Sequence, residues 1–355
     1  MTKIDKNDIL FETKSQSNDE KKLLCGIKTE RIQKNSAWDA ETAERRPGVF
    51  FFGEEASMQI STSMASFCRT MPLERAVALV KNAGFDGLDF PFSVYGSHAG
   101  DPLLRDDWRD WVHTLADVLD RTQLPIVQAH APWKQAIPVD FHAERPWEVY
   151  ARCIEACRLL GCRRLVFHPL RQPDRVATPE LRARIHAWNV RWFSELCGLA
   201  ACSGVCICLE NTFDSHHVQL PGDPPYPYTR AEELLALMRD IGDDCVGLCL
   251  DTGHANIEAQ DVPAMIRTLG HALKTVHLND NYGRIGPIYE DLHLFPGYGS
   301  LNWPELLRAL REVGFRGAIN MEPIAELPKS TPAVRLLQLR AAGAVLREYL
   351  AEIAQ

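Results

Sequence analysis

Four residues in this chain have the chemistry to hold a cation, and each stands at the end of a short apolar run. Glu210 closes CICLE, Asp251 closes VGLCLD, His277 lies in LKTVHLND and Glu322 in GAINMEP. A charged group at the end of a buried segment needs a partner, because removing it from water is costly. A single such residue would favour an isolated ion pair or a helix cap. Four at matching positions favour one shared partner, and a divalent cation satisfies three carboxylates and an imidazole together. This donor set suits Mn²⁺, placed first, and also Co²⁺, Zn²⁺ or Mg²⁺.

Further polar residues fall at similar places. His130 in AHAP and His168 in FHP follow apolar runs, and His254 comes three residues after Asp251. Each could cap a polar network; read functionally, His130 and His168 bind substrate hydroxyls or additional metals, and His254 contacts substrate or moves protons. Trp133 serves either as an apolar wall for a sugar face or as packing. Asp291-x-His293 precedes PGYG. Residues two apart in an extended segment point the same way, so both could reach one ligand. The glycines and the following helix start offer a place for a phosphate; the plainer reading is a turn with Asn302 as N-cap.

The elements that must position these residues alternate along the chain. Strands are expected at Met58–Met64, Gly87–Phe92, Ile126–Pro132 and Arg163–Pro169, then at VCICLEN, VGLCLDT, LKTVHLND and GAINMEP. Amphipathic helical segments separate them and follow the last. Strict strand–helix alternation implies a parallel sheet, and eight units in about 300 residues match a closed (β/α)8 TIM barrel. An open dinucleotide-binding sheet is disfavoured because no glycine fingerprint follows the first strand. In such barrels the active site lies at the C-terminal strand ends, where all of these polar residues fall. Residues 58–355 are therefore expected to form the barrel. Residues 1–57, rich in Lys, Glu, Asp, Asn and Ser, read as a poorly ordered polar extension.

The pattern LEN, DTGH, VHLND and MEP resembles the xylose isomerase-like barrel superfamily, nearest its sugar phosphate isomerases and epimerases, over roughly Met58 to Leu350. The resemblance implies that Glu210, Asp251, His277 and Glu322 hold one divalent metal. It also implies that the catalytic Glu210 and Glu322 flank the substrate and exchange its proton, through an enediolate formed next to a carbonyl. Apurinic endonucleases of the same superfamily use three zinc ions, and their ligands have counterparts at His130, His168, Glu210, Asp251, His254, His277, Asp291, His293 and Glu322. The opening strand, QISTSMASF, lacks the histidine- and glycine-rich start expected of those nucleases, so zinc-dependent phosphodiester hydrolysis ranks second. A lyase acting on an oxidised C-glycoside and a metal-free binding barrel are further readings.

The bulk properties agree with an enzyme acting on a small carbohydrate. The net charge of −8 argues against a nucleic-acid partner. No apolar run is long enough to span a bilayer, and the first residues show no signal-peptide core. The 11 cysteines are accordingly expected to be reduced and the protein cytoplasmic. The exposed helices of such a barrel leave homo-oligomerisation open.

Overall fold

Every apolar run expected to be a strand forms one. In this computed structural model, which describes residues 58–132, 145–170, 178–214, 226–283, 290–323, 327 and 329–354, the strands are β1 (Ile60–Ser63), β2 (Gly87–Pro91), β3 (Ile126–His130) and β4 (Arg164–Phe167). They continue with β5 (Cys206–Glu210), β6 (Val246–Asp251), β7 (Leu273–His277) and β8 (Ile319–Met321). Neighbours in sequence pair in parallel from β1 through β7, and β8 returns to pair with β1. Closure comes from the residue after β7. Leu278 bridges Met321 in parallel, its N–H donating to Asn320 O (2.8 Å) while Glu322 N–H donates to Leu278 O (3.0 Å). The sheet is thus a closed eight-stranded barrel with no free edge. The expected extension, residues 1–57, lies outside the described residues.

The helices follow the strands in chain order: α1 (Leu73–Asn82), a short α2 (Phe92–Tyr95), α3 (Trp108–Thr122), α4 (Arg145–Leu159) and α5 (Pro179–Ser203). Then come α6 (Ala231–Ile241), α7 (Thr252–Ile257), α8 (Val262–Leu269), α9 (Trp303–Glu312) and α10 (Pro332–Ala354). Their ends obey local chemistry. Thr178 caps α5 by accepting from Leu181 N–H, with Pro179 in the first turn, and Gly204 ends the helix at φ 65°, a left-handed conformation that favours glycine. Asp261 caps α8 in the same way, accepting from Ala264 N–H.

Alternation along each strand sends successive side chains to opposite faces. One set, including Ile60, Leu88, Ile207, Leu209, Leu248, Leu250 and Val276, joins the large apolar cluster beneath the helices. Val166, Cys208 and Cys249 form a separate cluster, inside the barrel. Glu210 and Asp251 share the parity of Cys208 and Cys249 and stand one step nearer the C-terminal mouth. Across the interior, on β1, β2, β3 and β8, the fill is polar: Ser61, Asp89, Gln128 and Asn320 are all buried. Nine described cysteines are free. No described helix is long and apolar enough to cross a membrane.

Candidate active site

The four residues singled out first converge. Glu210 ends β5, Asp251 ends β6, His277 ends β7 and Glu322 follows β8, and each offers one donor atom within 4.8 Å of the others. His277 Nδ1 lies 3.0 Å from Glu210 Oε1 and 3.5 Å from Glu322 Oε2. Asp251 combines two duties. Its Oδ1 accepts from His254 N–H (2.7 Å), capping α7, and its Oδ2 accepts from Asn279 Nδ2 (2.7 Å). The helix-cap reading was therefore correct for Asp251, but it does not displace the residue from the cluster.

Four histidines and an aspartate surround this core. His130 Nε2 and His168 Nε2 lie 3.1 Å apart and 3.3 and 3.4 Å from Glu210 Oε2. His254 Nδ1 faces Asn211 O at 2.9 Å, and its Nε2 lies 3.6 Å from Asp291 Oδ2. Asp291 Oδ2 and His293 Nε2 are 3.0 Å apart, so this pair does meet. The cause differs from the one expected. His293 has φ 48°, so the segment is not extended there, and a left-handed residue turns the imidazole back toward Asp291. Trp133 lies outside the described residues.

The phosphate site expected near PGYG is taken by the protein's own carboxylate. Asp280 Oδ2 accepts from Gly297 N–H (3.2 Å) and Trp303 Nε1 (2.8 Å), and Oδ1 accepts from Leu301 N–H (3.2 Å) and Asn281 N–H (3.0 Å). These donors are the ones an anion would use. A Cβ on Gly299 would lie 2.3 Å from Asp280 Oδ1 and 2.2 Å from Asn281 O, which explains the glycine. Asn302 caps α9 by accepting from Glu305 N–H, as the plainer reading held.

One carboxylate was missed by sequence reasoning. Asp89 in β2 is buried, and its Oδ2 lies 3.2 Å from His277 Nε2. It stands in mid-strand rather than at a strand end, so a search of strand ends passes over it. Its signal was a lone carboxylate inside the apolar run GLDFPF.

Comparison with known proteins settles the lineage. The profile of the xylose isomerase-like TIM barrel family matches residues 77–342. The chain belongs to that family. It is 29% identical to the D-psicose 3-epimerase of Agrobacterium fabrum over 43% of this chain and 47% of that protein. It is 25% identical to the inosose isomerase of Bacillus subtilis over 48% of this chain and 56% of that protein. The chain thus matches about half the length of each. A solved structure of the IOLI protein with a bound zinc atom superposes with TM-score 0.65 at 19% identity, covering 82% of this chain and 99% of that one. Homologues of this family member are therefore sugar epimerases and isomerases at low identity.

The residues present fit a divalent cation. Glu210 Oε2 is buried and completes no hydrogen bond among the described residues, a costly state for a carboxylate that a cation would relieve. Electrostatics separate the two glutamates. Burial resists ionisation of Glu210, but His277, His168 and His130 outweigh it and hold the carboxyl well below its usual range. Burial raises Glu322, with Glu210 and Asp251 adding to the rise against His277 and His293. Burial alone would depress His254, yet Asp251, Asp291 and Glu210 push it up to about 9.

Proposed function

We propose that this barrel is a divalent-metal-dependent isomerase or epimerase of a small sugar or sugar derivative, moving a proton on the carbon next to a carbonyl through an enediolate. The observation that carries this reading is the buried cluster of Glu210, Asp251, His277 and Glu322 at the barrel mouth, in a chain whose homologues include sugar epimerases and isomerases. These four residues would hold the ion, which when bound polarises the substrate carbonyl and stabilises negative charge next to it. Mn²⁺ is kept as the favoured ion, the donor set admits Co²⁺, Zn²⁺ and Mg²⁺ equally, and the zinc-bound family structure supports zinc.

Glu210 and Glu322 are the proposed proton carriers. Burial raises Glu322, whereas the facing histidines lower Glu210. Two carboxylates pushed apart in this way can serve as acid and base to one substrate. His130, His168, His254, Asp291 and His293 would bind substrate hydroxyls. Asp280 fills the backbone donors near PGYG, which favours a substrate without a phosphate at that point.

Incubation with ketoses and inososes in D₂O tests this reading. Deuterium should appear on the carbon beside the carbonyl, because a proton held on a carboxylate exchanges with solvent before it returns. A second reading, phosphodiester hydrolysis with three zinc ions, has a specific observation in its favour. His130, His168 and Glu210 form one further donor cluster, and Asp251, His254 and His293 form another. Cleavage of abasic-site DNA at catalytic enzyme levels, with no exchange into any sugar, would put this second reading first.

A further inference from the structure

Beneath the proposed metal cluster lies a chain of buried polar groups that the proton-transfer reading does not use. Ser61 Oγ donates to Asn320 Oδ1 (2.8 Å), Asn320 Nδ2 donates to Asp89 Oδ2 (2.9 Å), and Gln128 Nε2 donates to the same Oδ2 (3.2 Å). The chain joins β1, β8, β2 and β3. At its end Asp89 Oδ2 stands 3.2 Å from His277 Nε2. Asp89 is 1% exposed and His277 fully buried, so water serves neither.

The donors around Asp89 leave it one role toward His277. Two side-chain amides donate to one oxygen, so the carboxyl stands as an acceptor. When the other nitrogen is given to a metal ion, the imidazole nitrogen facing such a group keeps the proton. The approach is bent, for neither His277 Nε2 nor Asp89 Oδ1 completes a hydrogen bond. Nδ1 faces Glu210 and Glu322, 3.0 and 3.5 Å away; with an ion among these donors and the proton kept on Nε2, the Nδ1 lone pair would be free to ligate it.

We propose that Asp89 is a positioning residue for the metal centre: it fixes the proton of His277 on Nε2 and thereby presents Nδ1 to a divalent ion. The inference rests on the metal-dependent reading above. Partners of this kind orient a ligating histidine and raise its basicity, and losing one weakens metal affinity by about 10- to 100-fold.

The test is Zn²⁺ affinity, measured against a competing chelator, for the wild type, Asp89→Asn and Asp89→Leu. Asn keeps an acceptor without charge and should bind about tenfold more weakly; Leu keeps the approximate volume without an acceptor and should bind about 100-fold more weakly. In parallel, ¹⁵N-histidine NMR of the Zn²⁺-loaded wild type should show His277 protonated on Nε2 and metallated on Nδ1. This readout does not depend on either variant folding. Wild-type affinity in both variants, or a proton on Nδ1, would overturn the role of Asp89 and leave the metal reading standing. A wild type that binds no Zn²⁺ would instead overturn the metal reading, and this inference with it.

Discussion

At the scale of single residues, the proposed chemistry depends on two glutamates in different states. Glu210→Gln and Glu322→Gln should each lower turnover by about 100-fold or more, because each removes a group able to carry the proton. Full activity in either variant would remove that glutamate from the mechanism. The histidines add a pH signature. In the metal-free protein His254 titrates at about 9, above its ordinary value of 6.5, so its charged form stabilises the fold. That contribution is complete below about pH 6.5 and is lost as the pH rises through about 9. Thermal melts of chelator-treated protein should therefore fall over this interval, and His254→Gln should flatten the decline; an unchanged slope would exonerate His254. The convergence of Glu210, Asp251, His277 and Glu322 was legible in sequence because each lies at the end of an apolar run that has no other reason to stop on a charge. Asp89 was not legible by that rule. Its position in mid-strand acquires meaning only when the barrel closes and brings β2 across from β7.

Among the elements, the strands were readable almost to their ends and the helices as amphipathic segments between them, because buried parallel strands are continuous apolar runs and the covering helices bury one face. What the sequence hid was the short geometry between them. Helix α7 begins directly at Asp251, so DTGH is a cap and first turn rather than an extension of the strand. Gly253 sits there because a Cβ would fall 1.9 Å from Asn279 Oδ1, and Asn279 is the residue that donates to Asp251. The turn at His293 and the clamp on Asp280 were hidden for the same reason, since both join residues of one loop through backbone conformation rather than periodicity. Asp280→Ala should destabilise the fold by about 2 kcal/mol or more, because it strands buried donors, including Trp303 Nε1, each costing about 1–3 kcal/mol when unpaired. Urea denaturation checks this, and an unchanged midpoint would show that those donors find other acceptors.

For the molecule as a whole, a cation at the mouth links the ends of four strands and should add to stability by mass action. At a free ion concentration 100 times Kd the gain is about 2.7 kcal/mol, and it should vanish with chelator. The chain's net charge of −8 and its acidic cluster at the mouth agree with a neutral substrate better than with a polyanion. The number of ions separates the two enzymatic readings most directly. The most decisive measurement is therefore metal content per folded chain, by mass spectrometry after reconstitution with Zn²⁺ or Mn²⁺ and removal of the excess. One tightly held ion per chain, lost together with Glu210 and Glu322 donors in a double Gln variant, is the predicted result. Three ions per chain, or none, would contradict the account.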